Sequence, residues 1–391
     1  MAARPIRLLH LITDLDVGGA EMMLFKLLSG LDGGAFASEV VSLTTIGPLS
    51  ERIRALGVPV SALGLRRRVP DPLPLARLVR SLRREPPDVV QTWMYHADLL
   101  GGLAAKLAGG IPVVWNMRQS NLSPSVNRRR TLLVVRLCAR LSRWLPARVV
   151  CGSQAARQAH VTLGYDATKM RIIPNGFDLA VFKPDPMARA AVRGELGLLD
   201  DAPLIGLVAR FDAQKDHRTF VQAAALLRRQ DPDVHFALCG DGVTWQNEAL
   251  AGWIAAAGLR EHCHLLGRRD DVPRLTAALD IATSSSIGEG FPNAVGEAMA
   301  CGVPCVVTAV GDSAAIVGRT GVVVPPRDRP ALAAGWRALL ALGPAGRRCL
   351  GQAARRRVAE RFSLPAVVAQ YERLYRELTP RSTMSDASSL L

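Results

Sequence analysis

The chain has 391 residues, too many for one ordinary core and suited to two domains of about 150–200 residues each. A hydrophobic share of 49% and a charged share of 21% exclude a disordered chain. The formal net charge of +15 points to an anionic partner, whether nucleic acid, an anionic membrane or a phosphorylated small molecule. Five lysines against forty-four arginines weaken that pointer, because a coding bias toward arginine raises the charge without any binding role. Seven cysteines (Cys138, Cys151, Cys239, Cys263, Cys301, Cys305 and Cys349) are scattered and include no CxxC pair, so neither a disulfide framework nor a structural zinc site is readable. The apolar run "IRLLHLI" is short and no small-residue cleavage site follows it. The run from Thr131 to Pro146 is broken by Arg136, Arg140 and Arg143, so it cannot span a bilayer, and the expectation is a cytoplasmic protein.

In chain order, residues 6–13 read as a strand and 20–31 as a helix; 38–43, 87–93, 112–117 and 147–153 read as further strands with helical spacers. Continuous apolar strands flanked by helices predict a parallel sheet covered on both faces. The segment 172–186, rich in Pro, Asn and Gly, interrupts this pattern, which then restarts with strands at 203–209, 234–240, 262–267, 280–286, 303–309 and 321–325. The expected fold is therefore α/β, with two tandem Rossmann-like doubly wound domains and a cleft between them. Residues 1–180 form the first domain and 181–364 the second. A helix over 365–378 is expected to pack back on the first domain, and 379–391 to be a polar, disordered tail. Ligands of such sheets bind at the carboxyl ends of the strands.

The candidate residues fall at those strand ends. Asp14-Leu15-Asp16 spells a D-x-D that could hold a metal-bound diphosphate, although two acids two residues apart are common in solvated loops. Gly18 and Gly19 open a helix whose free amides could meet an anion, or simply make a tight turn. No G-x-G-x-x-G follows, which argues against a dinucleotide enzyme. Arg210 and Lys215 lie five residues apart just before a helix, a planar fork and a mobile point charge suited to a diphosphate; the plainer reading is a solvated surface pair. In "SSSIGEGFPNAVGEAMACGVP", Glu289 sits in a loop over the cleft, Asn293 is a good helix N-cap type, and Glu297 lies about one turn into the helix. Carboxylates there could accept hydrogen bonds from vicinal hydroxyls, or serve only as a loop acid and a helix-dipole acid. His262 and His264 share one face of a strand and could ligate metal, with no third ligand in view.

Together, "EGFPNAVGE", "ARFDAQK", "VGGAE", "IIPNGFDLAVFKP" and "VGDSAAIVGRTGVVVPPRD" resemble the retaining, two-domain (GT-B) nucleotide-sugar glycosyltransferases of family 4, in order along nearly the whole chain. The resemblance implies that Glu289 holds donor-sugar hydroxyls and Glu297 the nucleotide ribose. It implies that backbone around Gly290, Phe291, Asn293 and Ala294 cradles sugar and diphosphate, and that Arg210 and Lys215 neutralise the leaving diphosphate. Gly19, beside Gly18, would face the donor phosphate from the other domain, Gly267 and Arg268 would lie near the base, and His96 would be a sugar- or acceptor-facing histidine. Transfer in the family needs no metal and no cofactor, which demotes Asp14-Leu15-Asp16 to a coincidence. Gln119 stands where many relatives carry a histidine, at an edge of the acceptor site, and Ala315 where an acid is common; both departures are expected to lie away from the donor diphosphate site.

A helix over 128–145 carries Arg129, Arg136, Arg140 and Arg143 close to one face, opposite Leu133, Leu137 and Leu141, and could lie on an anionic inner leaflet or be an ordinary surface helix. The implied partners are a nucleotide-sugar donor and a glycan or lipid-linked acceptor in cell-envelope or exopolysaccharide synthesis. Two rival functions stay open: an epimerase-like GT-B enzyme, and a nucleic-acid-binding protein. The second lacks an aromatic-plus-basic platform, with 5% aromatic residues, so no nucleic-acid partner is expected.

Overall fold

The computed structural model describes residues 4–16, 18–65, 73–123, 127–199 and 201–379. The expected tail from 380 onward lies outside the described residues. The first half runs β1 (Ile6–Ile12), α1 (Gly19–Gly30), β2 (Phe36–Ser42), α2 (Leu49–Arg54), β3 (Val60–Ala62), α3 (Leu73–Arg84), β4 (Val89–Trp93), α4 (Tyr95–Leu107), β5 (Val113–Met117), α5 (Arg129–Leu141), β6 (Arg148–Cys151), α6 (Gln154–Thr162) and β7 (Met170–Ile172). The second runs α7 (Pro186–Glu195), β8 (Leu204–Val208), α8 (His217–Arg228), β9 (His235–Cys239), α9 (Glu248–Ala256), β10 (Cys263–Leu265), α10 (Val272–Ala278), β11 (Ile281–Ser284), α11 (Asn293–Ala300), β12 (Cys305–Thr308), α12 (Ser313–Val317), β13 (Gly321–Val324), α13 (Arg329–Leu340), α14 (Gly343–Arg361) and α15 (Leu364–Leu378).

The strands form two parallel sheets, ordered β3-β2-β1-β4-β5-β6-β7 and β10-β9-β8-β11-β12-β13. In both, the order reverses beside the first strand of the half, and that switch point opens the crevice where doubly wound sheets bind ligands. Central strands such as β4 and β5 are buried along their whole length, which is why they read as unbroken apolar runs. Each sheet has a separate apolar cluster on each face. One of these joins Leu8 and Ile12 of β1, Leu24 and Leu27 of α1, and Val367, Tyr371 and Tyr375 of α15. The last helix therefore belongs to the core of the first half. Its Tyr375 hydroxyl donates to Gln91 Oε1 at 2.5 Å inside that sheet. The chain crosses between halves twice, side by side: the Phe177 amide donates to Phe362 O, and the Leu364 amide to Phe177 O, both at 2.9 Å.

Three local expectations change. The α5 face packed on the protein is Val135, Cys138 and Ala139, so Leu133 (67% exposed) and Leu137 (41%) point to solvent on the same outer surface as Arg136 and Arg140. The α11 helix is preceded by Pro292 at the cap, and Asn293 is its first helical residue. Beside β10 the fold supplies a third imidazole: His235 stacks on His262 and His264, with its Nδ1 3.2 Å from His264 Nε2. Among the described residues, no group of three or more His, Cys, Asp or Glu is arranged to hold a metal ion, and no helix is long and apolar enough to cross a membrane.

Candidate active site in the interdomain cleft

A cavity of about 470 Å³ lies where the carboxyl ends of the two sheets face each other. The first half contributes Gly19, Glu21, Met94, Arg118 to Asn121 and Asn175; the second contributes Arg210, Gln214, Lys215, Gly288 to Phe291 and Asn293. Another cavity, of about 430 Å³ around Arg189 and Asp280, is walled by the second half alone.

At the centre, Lys215 Nζ meets Glu289 Oε1 at 2.5 Å. The same oxygen accepts from Ser286 Oγ at 2.7 Å. Lys215 ends a short 3-10 turn, Ala213–Lys215, begun by Asp212, whose carboxylate accepts the Gln214 amide at 2.8 Å. That bond, with Arg210 3.4 Å away, holds the Asp212 carboxyl below its usual range. Asp216 follows in the left-handed region (φ 48°) and caps α8 through the Thr219 amide at 3.1 Å. The sharp turn aims the Lys215 ammonium back over the cleft, whereas Arg210 stays exposed at the rim.

On the facing wall, α1 begins at Gly19, with Gly18 as an extended N-cap. Glu21 folds back over this first turn, and a Cβ on Gly18 would collide with its carboxylate, so this glycine makes room for Glu21. A Cβ on Gly19 would meet nothing, leaving open space beside that backbone. Burial pushes the Glu21 carboxyl up, and Asp14 and Asp16 push it further. Met94, between β4 and α4, has φ 71° and ψ 162°, a backbone region reserved almost entirely for glycine, and this strained residue lines the cavity.

Several hydrogen bonds cross the cleft. Ser120 Oγ donates to Glu289 O at 2.8 Å, and Asn121 Nδ2 to Gln214 Oε1 at 3.3 Å. Within the first half, Arg118 Nη1 donates to Asn175 Oδ1 at 2.9 Å, and Asn175 Nδ2 then crosses to Asn293 Oδ1 at 2.7 Å. Tyr371 of α15 accepts from Arg118 on the far side. The first residue of α11 is thus tied, through Asn175 and Arg118, to the core of the first half.

Of the residues singled out in the sequence, Gly19, Arg210, Lys215, Glu289, Gly290, Phe291 and Asn293 line one cavity. Gly18 borders it as the cap of α1, and Ala294 is the second residue of α11. Glu297 lies deeper along α11, 4.0 Å from Lys26 of α1; burial raises its carboxyl and Lys26 opposes the rise. His96, Gly267 and Arg268 are not among the lining residues. His96 is exposed in the first turn of α4, not in a loop. Gly267 (φ 61°) is used up in a turn, its amide donating to Val243 O and its carbonyl accepting from Gly240, both at 2.8 Å. Gln119 lines the cavity and braces the adjoining loop through Asn121 O and Asn127 Oδ1, both at 2.8 Å, whereas Ala315 is exposed elsewhere on α12. Sequence reading missed Arg118, Ser120, Asn175 and Gln214, although each sits inside or beside a stretch already singled out.

Residues 17–181 match the family model of glycosyltransferase family 4, and residues 202–341 match that of glycosyl transferases group 1. The chain is 28% identical over 272 residues to the UDP-Gal:alpha-D-GlcNAc-diphosphoundecaprenol alpha-1,3-galactosyltransferase of Escherichia coli, covering 69% of this chain and 70% of that one. It is 33% identical over 257 residues to the D-inositol 3-phosphate glycosyltransferase of Geodermatophilus obscurus, covering 60% and 54%. The fold matches the crystal structure of Anabaena HepE in complex with UDP, at a TM-score of 0.82 and 24% identity over 95% of this chain and all of that one. It also matches a glycosyltransferase from Rickettsia africae, at 0.83 and 18% over 97% and 100%. With both halves so matched and the cleft formed between them, the chain belongs to the glycosyltransferases and has their GT-B fold.

Proposed function

We propose that this glycosyltransferase moves a sugar, with retention, from a nucleoside-diphosphate sugar to a hydroxyl of a cell-envelope or exopolysaccharide intermediate carried on a lipid. The observation that carries the reading is the Lys215–Glu289 pair at the centre of a cavity walled by both halves. A donor diphosphate entering beside the first turn of α11 would be met by Lys215, Arg210 and the helix amides. It would compete for the ammonium that now holds Glu289, freeing that carboxylate to accept from sugar hydroxyls. As the glycosidic bond breaks, negative charge grows on the departing diphosphate, and preorganised cations and amides in a half-enclosed cleft stabilise that charge more than the ground state. No metal is needed for this, because Lys215 and Arg210 already supply the positive charge. Retention requires the acceptor to approach from the face the diphosphate leaves.

The lipid carrier is supported by the outer face of the first half. Trp144 (67% exposed), Leu133 and Leu137 lie among Arg136, Arg140 and Arg143, and no acid occurs from 127 to 145. Exposed apolar side chains interleaved with arginines suit the headgroup layer of an anionic membrane better than water. The E. coli relative, by its name, acts on a sugar linked to diphosphoundecaprenol.

The test is a melting-temperature panel with UDP, GDP, ADP and their sugar conjugates. Ligand at 100 times its dissociation constant adds roughly 2.7 kcal/mol, a shift of several degrees. One nucleotide should stabilise the protein, and Lys215→Met should abolish that shift. A panel in which no nucleotide acts, while a nucleic acid does, would overturn the reading.

A further inference from the structure

We propose that Asp312 is a positioning residue for the transfer reaction, a latch that sets the donor loop through closure of the two halves. The proposal rests on the donor reading above. The Asp312 carboxylate reaches across to the amino end of α6, accepting the Gln154 amide at 2.8 Å on one oxygen and the Ala155 amide at 3.0 Å on the other. The next amide, of Ala156, is taken by Ser153 Oγ at 2.9 Å. Three of the four orphan donors of this helix are therefore satisfied, two of them only by the opposite half of the molecule. A carboxylate at the positive end of a helix dipole, bonded by two amides, is a favourable contact that exists only in the closed arrangement.

The other side of the same residue holds the donor loop. The Asp312 amide donates to Gly290 O at 3.0 Å. Gly311, at φ 55°, lies so close that any Cβ there would strike the carbonyls of Glu289 and Gly290. The preceding carbonyl, of Glu289, accepts Ser120 Oγ from the first half at 2.8 Å. Two successive carbonyls of the loop are thus gripped, one by the first half directly and one by the residue latched to it. Fixing these carbonyls fixes the peptide planes between them, and with them the direction of the Glu289 side chain and of the amides entering α11. In this arrangement the loop takes its binding shape when α6 engages Asp312.

The experiment removes the latch from either side. Asp312→Ala deletes the acceptor. Gln154→Pro deletes one donor without harming α6, because proline suits the first helical position and Ser153 before it is already extended (φ −158°, ψ 160°). Amide hydrogen exchange of the segment 286–295 is measured in the nucleotide-free protein, together with UDP affinity by calorimetry. Each single variant should speed exchange of the donor segment and weaken UDP by roughly five- to thirty-fold for Asp312→Ala and about two- to ten-fold for Gln154→Pro. The double variant should be no worse than Asp312→Ala alone, since both changes break one contact. A purely structural cap would lower melting temperature and leave exchange of 286–295 unchanged in Gln154→Pro; that result, or additive effects in the double variant, overturns the proposal. Failure of UDP, GDP and ADP alike to bind the wild-type protein would count against the donor reading, while the exchange measurements still decide on the latch.

Discussion

Replacing Lys215 by methionine should separate the stability of the cleft from its chemistry. Lys215 and Glu289 meet at 2.5 Å with side chains 23% and 11% exposed, between a surface pair worth about 0–1 kcal/mol and a buried one whose disruption costs about 3–5 kcal/mol. A loss of roughly 2 kcal/mol is therefore expected from the single change, because among the described residues Glu289 keeps only Ser286 as a side-chain donor. For the half of the molecule that unfolds around it, this is a fall of about 4–8 °C in melting temperature. Adding Glu289→Gln removes the stranded charge and should restore most of that stability. Turnover should behave differently. Deleting one preorganised donor to a developing anion lowers kcat by about 10²–10³-fold, and Glu289→Gln cannot restore it, since the amide replaces neither the ammonium nor the carboxylate grip. The assay pairs calorimetric melting of the two variants with initial rates of nucleotide release from the donor found in the panel. If Lys215→Met keeps kcat within a few-fold of wild type while losing stability, Lys215 is only the partner of Glu289, and the charge-stabilising role assigned to it is refuted.

Melting temperature should fall as pH drops from about 6.5 to 4. Burial lowers His10 to about 3 and His160 and His217 to about 4, so the unfolded chain binds protons first; stability is complete above 6.5 and lost toward the folded values, and a scan flat over that range would contradict these burials. Met94→Gly should relieve about 1–3 kcal/mol of backbone strain, offset by glycine's extra chain entropy, and should therefore melt above Met94→Ala, which loses the same side-chain packing without the relief; a Met94→Gly that melts below Met94→Ala would show the backbone there to be unstrained. Gly311→Ala should destabilise by roughly 1–3 kcal/mol and weaken nucleotide binding, because its Cβ must displace the donor-loop carbonyls; unchanged calorimetric binding would place that loop away from the nucleotide. Vesicles containing anionic lipid should co-sediment the wild-type protein, with recovery reduced several-fold in Trp144→Ser with Leu133→Ser and little binding to neutral vesicles; equal recovery of the variant would remove α5 as the contact.

Parallel order and the restart after residue 180 were legible because buried strands flanked by helices leave long apolar runs. The strands missed, β3 and β7, are three-residue edge strands whose middle residues, Ser61 and Arg171, break any apolar run, whereas the equally short edge strand β10 leads directly into Leu265 and Leu266. Within the site, contiguous motifs were legible and their pairing was not. Lys215 and Glu289 are 74 residues apart, and Arg118 and Asn175 are 57 apart, so nothing local announces that one will hold the other. Asn293 illustrates the limit: its residue type suits a cap, but its side chain is taken by Asn175 from the facing half, and Pro292 stands at the cap. The helical wheel of α5 failed for a related reason, since an arginine-rich helix in this protein packs by Val135, Cys138 and Ala139, with Leu141 half-buried against the same core, and leaves Leu133 and Leu137 outside.

Net charge shows the same gap between amount and placement. Part of the +15 excess never reaches solvent as a field. Arg193 and Arg347, 2% and 7% exposed, converge with Arg189 on Asp280. Arg355 and Arg357 spend their donors on the carbonyls of Leu179, Phe182 and Ala300 and of Ala315 and Ile316. These guanidinium groups act as internal braces, which arginine can be because its planar fork reaches several acceptors at once. A partner attracted by total charge alone would find less than the composition promises. The α5 surface is different in kind: its arginines are exposed, no acid lies near them in sequence, and three large apolar side chains stand between them. Attraction there combines charge with burial of apolar area. It should therefore weaken at high salt without vanishing, whereas binding by arginines alone would be lost once the Debye length falls to about 3 Å at 1 M salt.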